Sequence, residues 1–552
     1  MADPPGAIDH WAFFRSGGAT ILFVLLTLIM TWPQAVVLET HAFDHQDVFF
    51  NLWRLRWIAH ALSTSPAELF NGNIFEPDRG VLAYSDAMLV EGVLAAPLLW
   101  AGVPPVLVHN LMLLGAIVAS GVGSFVLARH LTGSTGGAVA AGVIFAFAPY
   151  RFEHYMHLEL QWTVWSPWAF WALQRTIETA SIRFGLLTGL FLALQMTSSV
   201  YYGVFLFLLI AAVALLQLLT LRGRRLVRSG RALVLGTALA ASVSGVYSIP
   251  YTAAAARVGT RPADQVKENS AEPGDYRVAT PTNVLYGSMY AGANERRLFP
   301  GILPPLLALA GLLLVPPTTP AIAYLIGLVL AFELSLGANG VLYPLLYEYV
   351  GVFRGLRAPA RASAFCLLFL GVLAAYGTAA LTAAMTTWKR RAAAALICTI
   401  LLLEYRVGSL PLVAYHNEPP PLYRLLATLP RGVVAEFPMA RLDWAPHLDP
   451  RFTYMSTFHW MPLLNGYSGF YPRSYLNRLV RVARFPDEAS VASLRRENVR
   501  YVIVHDDHKF PDDNKFPDWE RIRVVERLLS LDLKWLGDYK DGWGVGTVME
   551  LK

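Results

Sequence analysis

Charge and cysteine are scarce in this sequence, and each scarcity excludes something. Asp, Glu, Lys and Arg make up 15% of the 552 residues, where a soluble domain carries about 25%. Hydrophobic residues make up 55%. A chain of that balance cannot clothe a compact globule in polar surface. An ordinary cytosolic enzyme, a disordered protein and a fibrous repeat are therefore excluded. The two cysteines, Cys366 and Cys398, both fall inside apolar stretches. They read as buried free thiols and give no disulfide framework. Internal repeats and low-complexity tracts are lacking. No small-residue cleavage site follows the first apolar run, so that run reads as a retained span. The net charge of +6 sits in a few clusters beside apolar runs. Lipid orientation explains such clusters, and they make no case for nucleic acid.

What is there is a series of apolar runs of about the length that crosses a bilayer. They lie at 18–38, 106–129, 134–150, 160–176, 183–200, 203–221, 231–250, 300–316, 319–337, 359–384 and 391–412. A further run, 87–103, is short, holds Glu91 and ends before two prolines. Placing the cluster Arg222, Arg224, Arg225, Arg228 and Arg231 in the cytoplasm sets the orientation. Lys389, Arg390 and Arg391 then fall inside, as do Arg129, Arg175 and Arg183. The segments 150–159, 251–299 and 413–552 fall outside. If 87–103 lies in the outer interface, Arg15 is inside as well. The sequence thus predicts a polytopic α-helical membrane protein of about 11 spans, with a cytoplasmic N-terminus.

Two regions follow from this reading. Residues 1–412 form a transmembrane domain with outer loops at 39–105 and 251–299. Residues 413–552 form a small extracytoplasmic α/β domain, its start marked by Glu418-Pro419-Pro420-Pro421. Val433–Phe437 and Tyr501–His505 read as strands, and 488–498 as a helix.

The first outer loop carries the most chemistry. It opens His41-Ala42-Phe43-Asp44-His45-Gln46-Asp47, and the next stretch to Leu62 has helical apolar spacing with arginines between. That pattern predicts an amphipathic helix lying in the interface, with Asp47 near its N-terminus, where a carboxylate is favourable. Asp47 taken alone reads as a helix cap and Asp44 as a solvated loop residue. Asn73-Ile74-Phe75-Glu76-Pro77 and Tyr84-Ser85-Asp86 follow, with Asp86 expected to cap the helix at 87–103.

This order of parts resembles the GT-C glycosyltransferases, and most closely a set of bacterial GT-C-like membrane proteins. The matching pieces are Asp47–Trp57, Asn73–Pro77, Tyr84–Asp86, Phe145–His154, Leu298–Gly301, Leu356–Arg361 and Asn465–Phe470. The resemblance implies inverting sugar transfer from a polyprenyl-phosphate sugar donor, so a Gly-rich nucleotide-phosphate loop is not needed. Such chemistry requires a base for the acceptor proton and charge stabilisation for the departing phosphate. By position in the family pattern Asp47 is the base. Asp44 stays open as its alternative, because His45-Gln46 stands where the family has a small residue such as Gly.

Other groups have candidate roles. In the loop Tyr150–Gln161, Arg151 is a phosphate candidate and His154 a substrate contact. His154, His157 and Glu159 with Asp47 form a possible divalent site for Mg or Mn, with hydrogen bonding to lipid phosphate or loop backbone as the plainer use of the histidines. Arg357 and Arg361, with Arg354, are phosphate candidates against simple interfacial snorkelling. Asp86 is a further substrate candidate. Trp162, Trp165, Trp168 and Trp171 read mainly as packing. His447, His459, Asp506, Asp507 and His508 read as solvated loop residues. The expectation is a glycosyltransferase of the bacterial inner membrane, passing sugar to a glycan, lipid or protein acceptor on the outer face. A lipid-linked saccharide flippase is the alternative, with Glu333 and Glu404 as its intramembrane charges. A non-catalytic scaffold of the same fold is another.

Overall fold

Each of the eleven apolar runs contains an α-helix in the computed structural model, which describes residues 10–289, 294–439, 448–507, 518–540 and 544–551. Among the described residues, four helices are long and apolar enough to cross a membrane: Pro105–Thr132, Val200–Leu218, Gly223–Val258 and Pro359–Thr382. Shorter apolar helices are Gly17–Met30, Leu89–Trp100, Ile182–Ser198, Leu303–Leu314 and Thr319–Ser335. Leu89–Trp100, from the ambiguous run, has 12 residues. At about 1.5 Å per residue it is too short to cross a hydrocarbon core of about 30 Å. The chain divides into two compact units.

The first unit comprises Met1–Val37, Leu111–Tyr247 and Thr260–Pro411 and is a helical bundle. Its axis is the helix Ser363–Thr382, buried without interruption from Ser363 to Thr378. The helices Leu303–Leu314, Thr135–Phe147 and Thr319–Ser335 pack around it. Small residues set the closest approach, as they do where apolar helices cannot rely on excluding water. A Cβ on Gly377 would lie 1.8 Å from the Leu307 carbonyl oxygen, and one on Gly311 would lie 2.7 Å from that of Leu373. The outer faces carry exposed apolar rows, among them Leu306, Leu309 and Leu313, and Val234 and Val246. Contiguous apolar surface of that kind suits lipid. Cys366 is buried and Cys398 half-buried, both as free thiols.

The second unit comprises Leu38–Asn110, Ser248–Gly259 and Leu412–Lys552. The first outer loop is therefore built together with the C-terminal tail. Strand β1 (His41–Phe43) pairs antiparallel with β2 (Leu412–Ala414), placing His41 opposite Ala414. Four more strands, β3 (Val433–Phe437), β4 (Val499–Asp507), β5 (Lys534–Lys540) and β6 (Gly544–Glu550), form one sheet in the order β3-β4-β6-β5. β3 and β4 are parallel; β6 is antiparallel to both β4 and β5. Both strands read from the sequence are present, and the expected helix is Glu488–Arg496. His447 and His508 lie outside the described residues, as do the side chains of Asp506 and Asp507.

Backbone hydrogen bonds tie the loop to the tail. The Phe75 N–H donates to the Asn465 carbonyl at 2.9 Å, Glu76 to Leu463 at 3.0 Å, Leu463 to Asn73 at 2.8 Å and Phe470 to Tyr84 at 2.9 Å. Buried Arg478 closes the seam, donating to the carbonyls of Leu464 at 3.0 Å and Glu76 at 2.6 Å while pairing with Glu497. One expectation fails here and another is sharpened. The helix Gln46–Thr64 is mostly buried, with Ser63 and Thr64 exposed at its end. Asn51, Arg54 and Ala59 are buried as well as its apolar stripe, because the helices Leu89–Trp100 and Asp449–Met455 cover it. Asp86 does not cap the next helix, since Met88, in left-handed backbone at φ 55°, takes that position.

Two predictions concern stability. Gly377→Val forces the central pair of helices apart and should cost at least about 1–3 kcal/mol. Gly115→Ala, at a helical glycine with nothing within 4 Å of the added carbon, should be tolerated; equal thermal midpoints for the two variants in detergent would refute the packing argument. The second concerns Asp449, fully buried within the tail. Burial pushes its carboxyl up to about 6, against hydrogen bonds from Tyr475 and Asn465, and Glu436 pushes the same way as burial. A raised carboxyl stabilises the fold below its unfolded value near 4, and that contribution is lost as pH rises through about 6. Between those values the wild type should lose on the order of 2–3 kcal/mol. Asp449→Asn should flatten that slope, read as thermal midpoint against pH.

Candidate functional site

Asp47 stands in the first turn of Gln46–Thr64, where the helix N-terminus favours a carboxylate. The cap itself is His45, whose Nδ1 accepts the Asp47 N–H at 3.1 Å. His45 Nδ1 also lies 3.5 Å from Asp47 Oδ2. Asp47 Oδ1 accepts the Tyr467 hydroxyl at 2.6 Å. The carboxylate keeps 17% of its surface exposed, enough to meet a small acceptor group. Tyr415 holds the preceding loop, donating to the Phe43 carbonyl at 2.8 Å and the His45 carbonyl at 3.1 Å. Asp44 is exposed. Asp86 is half-buried, and its backbone carbonyl receives Arg54 Nη1 at 2.7 Å.

In the first unit the expected arginines gather around a residue that sequence reasoning passed over. Glu295 receives Arg361 on both oxygens, Nε to Oε2 at 3.0 Å and Nη2 to Oε1. His154 Nε2 lies 3.9 Å from Oε2, and Arg357 Nη2 lies 3.9 Å from Oε1. The Arg361 guanidinium also sits 4.7 Å over the Tyr201 ring, and the Tyr201 hydroxyl accepts the Arg357 N–H at 2.7 Å. Burial opposes the Glu295 charge, but the Arg361 guanidinium holds its carboxyl well below the usual range. Burial also pushes the His154 imidazole down to about 3, against the pull of Glu295, so it is neutral at pH 7. Arg361 is buried, while Arg357 keeps 36% of its side chain exposed. Arg357 is thus the arginine of this group that can reach a ligand.

The other candidates have local partners. Arg151 is buried and donates to the carbonyls of Phe145 and Gln161, each at 3.0 Å, and to Thr163 Oγ1 at 2.5 Å. It fastens its own loop and has no exposed face for a phosphate. Arg354 donates to the Tyr347 and Glu348 carbonyls. His154 and His157 approach through their Nδ1 atoms at 3.4 Å. Glu159 is buried. Among the described residues no three His, Cys, Asp or Glu groups converge as metal ligands. Of the residues proposed for Mg or Mn, His154, His157 and Glu159 belong to the first unit and Asp47 to the second. Trp165 stacks on Phe191 and Trp168 meets Trp171 edge-on, as packing residues do. His459 is built into the fold: its Nδ1 accepts the Met461 N–H at 3.0 Å, and its ring stacks on Tyr423.

The two carboxylates on which a transport reading would rest also have local work. Glu404 ends the helix Thr387–Glu404 and accepts the Ile302 N–H at 2.5 Å and the Leu303 N–H at 3.3 Å, capping the earlier apolar helix Leu303–Leu314. Gly301, at φ 93°, lets the chain pass it, since a Cβ there would lie 2.8 Å from Glu404 Oε2. This accounts for the Leu298–Gly301 motif. Glu333 accepts the N–H groups of Val341 and Leu342 in the same manner.

Removing one member of a buried ion pair strands the other. Glu295→Gln should therefore cost about 3–5 kcal/mol of stability. The double variant Glu295→Gln/Arg361→Met should recover part of it, and strict additivity in a double-mutant cycle would show that the pair is not coupled.

No protein-family model matches the sequence, and no curated protein matches it. Solved structures do. The arabinofuranosyltransferase AftD from Mycobacteria superposes with a TM-score of 0.65 at 16% identity, covering 98% of this chain and 40% of that one. The chain therefore spans 40% of the length of that protein. The Archaeoglobus fulgidus oligosaccharyltransferase (TM-score 0.48, 13% identity, 90% of this chain and 70% of that) and ArnT from Cupriavidus metallidurans (0.49, 11%, 98% and 98%) align at scores that add nothing further. The likeness to AftD extends over nearly the whole chain, and it gives this protein the fold of the GT-C glycosyltransferases.

Proposed function

We propose that the protein is an inverting glycosyltransferase that moves a sugar from a polyprenyl-phosphate donor to a glycan, lipid or protein acceptor. It works on the outer face of a bacterial inner membrane, with the N-terminus cytoplasmic and the C-terminal domain outside. The observation that carries the reading is the setting of Asp47: a partly exposed carboxylate at a helix N-terminus, held on one oxygen by Tyr467.

In this reading the Asp47 carboxylate takes the proton of an acceptor hydroxyl. The acceptor oxygen attacks the anomeric carbon from the face opposite the lipid phosphate. The bond from that carbon to the phosphate oxygen breaks, and polyprenyl phosphate leaves with the electron pair. One displacement inverts the centre, so no close carboxylate pair is needed. Arg357 meets the phosphate charge, as a planar guanidinium does well. Arg361, locked to Glu295, holds that segment in place. The tail, which shares a unit with the first loop, contributes to acceptor binding. The binding of Glu333 and Glu404 to backbone N–H groups weighs against a flippase.

The decisive assay uses radiolabelled polyprenyl-phosphate sugars and purified protein in detergent. Asp47→Asn should lower turnover by about 10²–10⁴-fold with donor binding retained. Arg357→Gln should weaken donor binding. Turnover surviving in Asp47→Asn would move the base to Asp44. Saturable lipid binding without turnover in the wild type would favour a scaffold or flippase.

A further inference from the structure

We infer that the second unit carries a separate pocket for a phosphate-bearing headgroup of glycerol or sugar size, built on Arg56, His60 and Trp460. The cavity holds roughly 300 Å³ and lies wholly within that unit. Its walls come from the helix Gln46–Thr64, from the turn after Leu89–Trp100, and from Asn417 and Trp460 of the tail. Asp47 does not line it.

Three features point to an anion with an apolar stem. First, the charged groups at the cavity are cationic. Arg56 donates Nη2 to the Thr457 carbonyl at 3.2 Å, lies 4.4 Å over the Phe458 ring and interacts with the Tyr454 hydroxyl, while its buried Nη1 makes no hydrogen bond of good geometry. The His60 ring nitrogens also lack a hydrogen-bond partner among the described residues. Arg431 lies nearby, donating to the Trp460 carbonyl at 3.3 Å. Burial, with Arg431 and Arg56, depresses the His60 imidazole, so positive potential already reaches this ring. No carboxylate lines the cavity among the described residues.

Second, the aromatic walls are pre-set. The His60 ring lies flat on Trp460, with centroids 3.9 Å apart and planes 9° apart. Trp100 is pinned by its indole N–H to the Ala59 carbonyl at 3.0 Å. Trp460 sits in left-handed backbone at φ 54°, a conformation costly for a bulky residue and characteristic of binding sites. Asn417 spans the rim, its amide donating to the Glu39 carbonyl and accepting the Val106 N–H. Aromatic faces and a planar guanidinium suit the C–H surface and oxyanion of a phosphorylated polyol.

Third, the lining residues Val103 and Pro105 lead directly into Pro105–Thr132, a helix long and apolar enough to cross a membrane. Lipid phosphates lie at the level where such helices end. The chemistry to be recognised is thus a phosphate on a short polyol, supplied by an anionic lipid headgroup or by a soluble phosphate ester.

The test uses the full chain in nanodiscs of phosphatidylcholine with and without phosphatidylglycerol, and in detergent with sn-glycerol 1-phosphate. Native mass spectrometry reads retained lipid, and calorimetry reads the soluble ester. Wild type should retain phosphatidylglycerol over phosphatidylcholine, or bind the ester saturably. Either result supports the pocket, and the pair identifies the source. Ser63→Trp, which fills the mouth from an exposed position on the helix, should weaken binding by about tenfold or more. Arg56→Gln should do the same, and Ser63→Ala should not. If Arg56→Gln fails to fold, Ser63→Trp decides. Absence of saturable binding of both probes, or wild-type binding by Ser63→Trp, would overturn the inference.

Discussion

The seam of backbone hydrogen bonds between residues 73–84 and 463–470 is the constraint on which the second unit depends. A loop that leaves the membrane early in the chain has unpaired N–H and C=O groups that must be satisfied once it is buried. The tail supplies the partners, and Arg478 covers the carbonyls that remain. With the loop so held, the helix Gln46–Thr64 can be enclosed on several sides. Tyr467, on the tail side of the seam, then falls within reach of Asp47. A carboxylate positioned in this way loses little on being used, because its hydrogen bond and its helix are already in place.

The first unit solves a different problem. Its helices are apolar on the inside and on the outside, so close packing through small residues sets their spacing. Charges in such a bundle need built partners. Glu295 with Arg361, and Glu404 with the N-terminus of the helix Leu303–Leu314, are both instances. The first leaves a neighbouring arginine, Arg357, half-exposed beside a fully paired one. Rigid support under one accessible cation is what a phosphate contact requires.

Much of the architecture was legible in the residues. Apolar runs, strand patterns at Val433–Phe437 and Tyr501–His505, and the order of short motifs led to the right class of fold. The site was legible only in fragments. Glu295 was missed because a lone acid in a polar loop has no periodicity to mark it. Arg151 looked like a ligand contact because an arginine in an outer loop usually faces water; here three acceptors of its own loop enclose it. The helix after Asp47 looked amphipathic because its arginines fall between apolar residues, yet Arg54 turns inward to Asn51 and the Asp86 carbonyl.

The sequence by itself determined that the chain is strongly apolar, where its helices lie and that Asp47 stands in the first turn of Gln46–Thr64. These are local properties, written in composition and in spacing over a few turns. The tertiary structure alone decided that the first loop and the tail are one unit, that Tyr467 holds Asp47 across 420 positions of sequence, and that Arg361 is buried on Glu295 while Arg357, at 3.9 Å from the same carboxylate, keeps 36% of its side chain exposed. Such pairings depend on which distant backbone groups satisfy one another when water is excluded, and no local pattern encodes them.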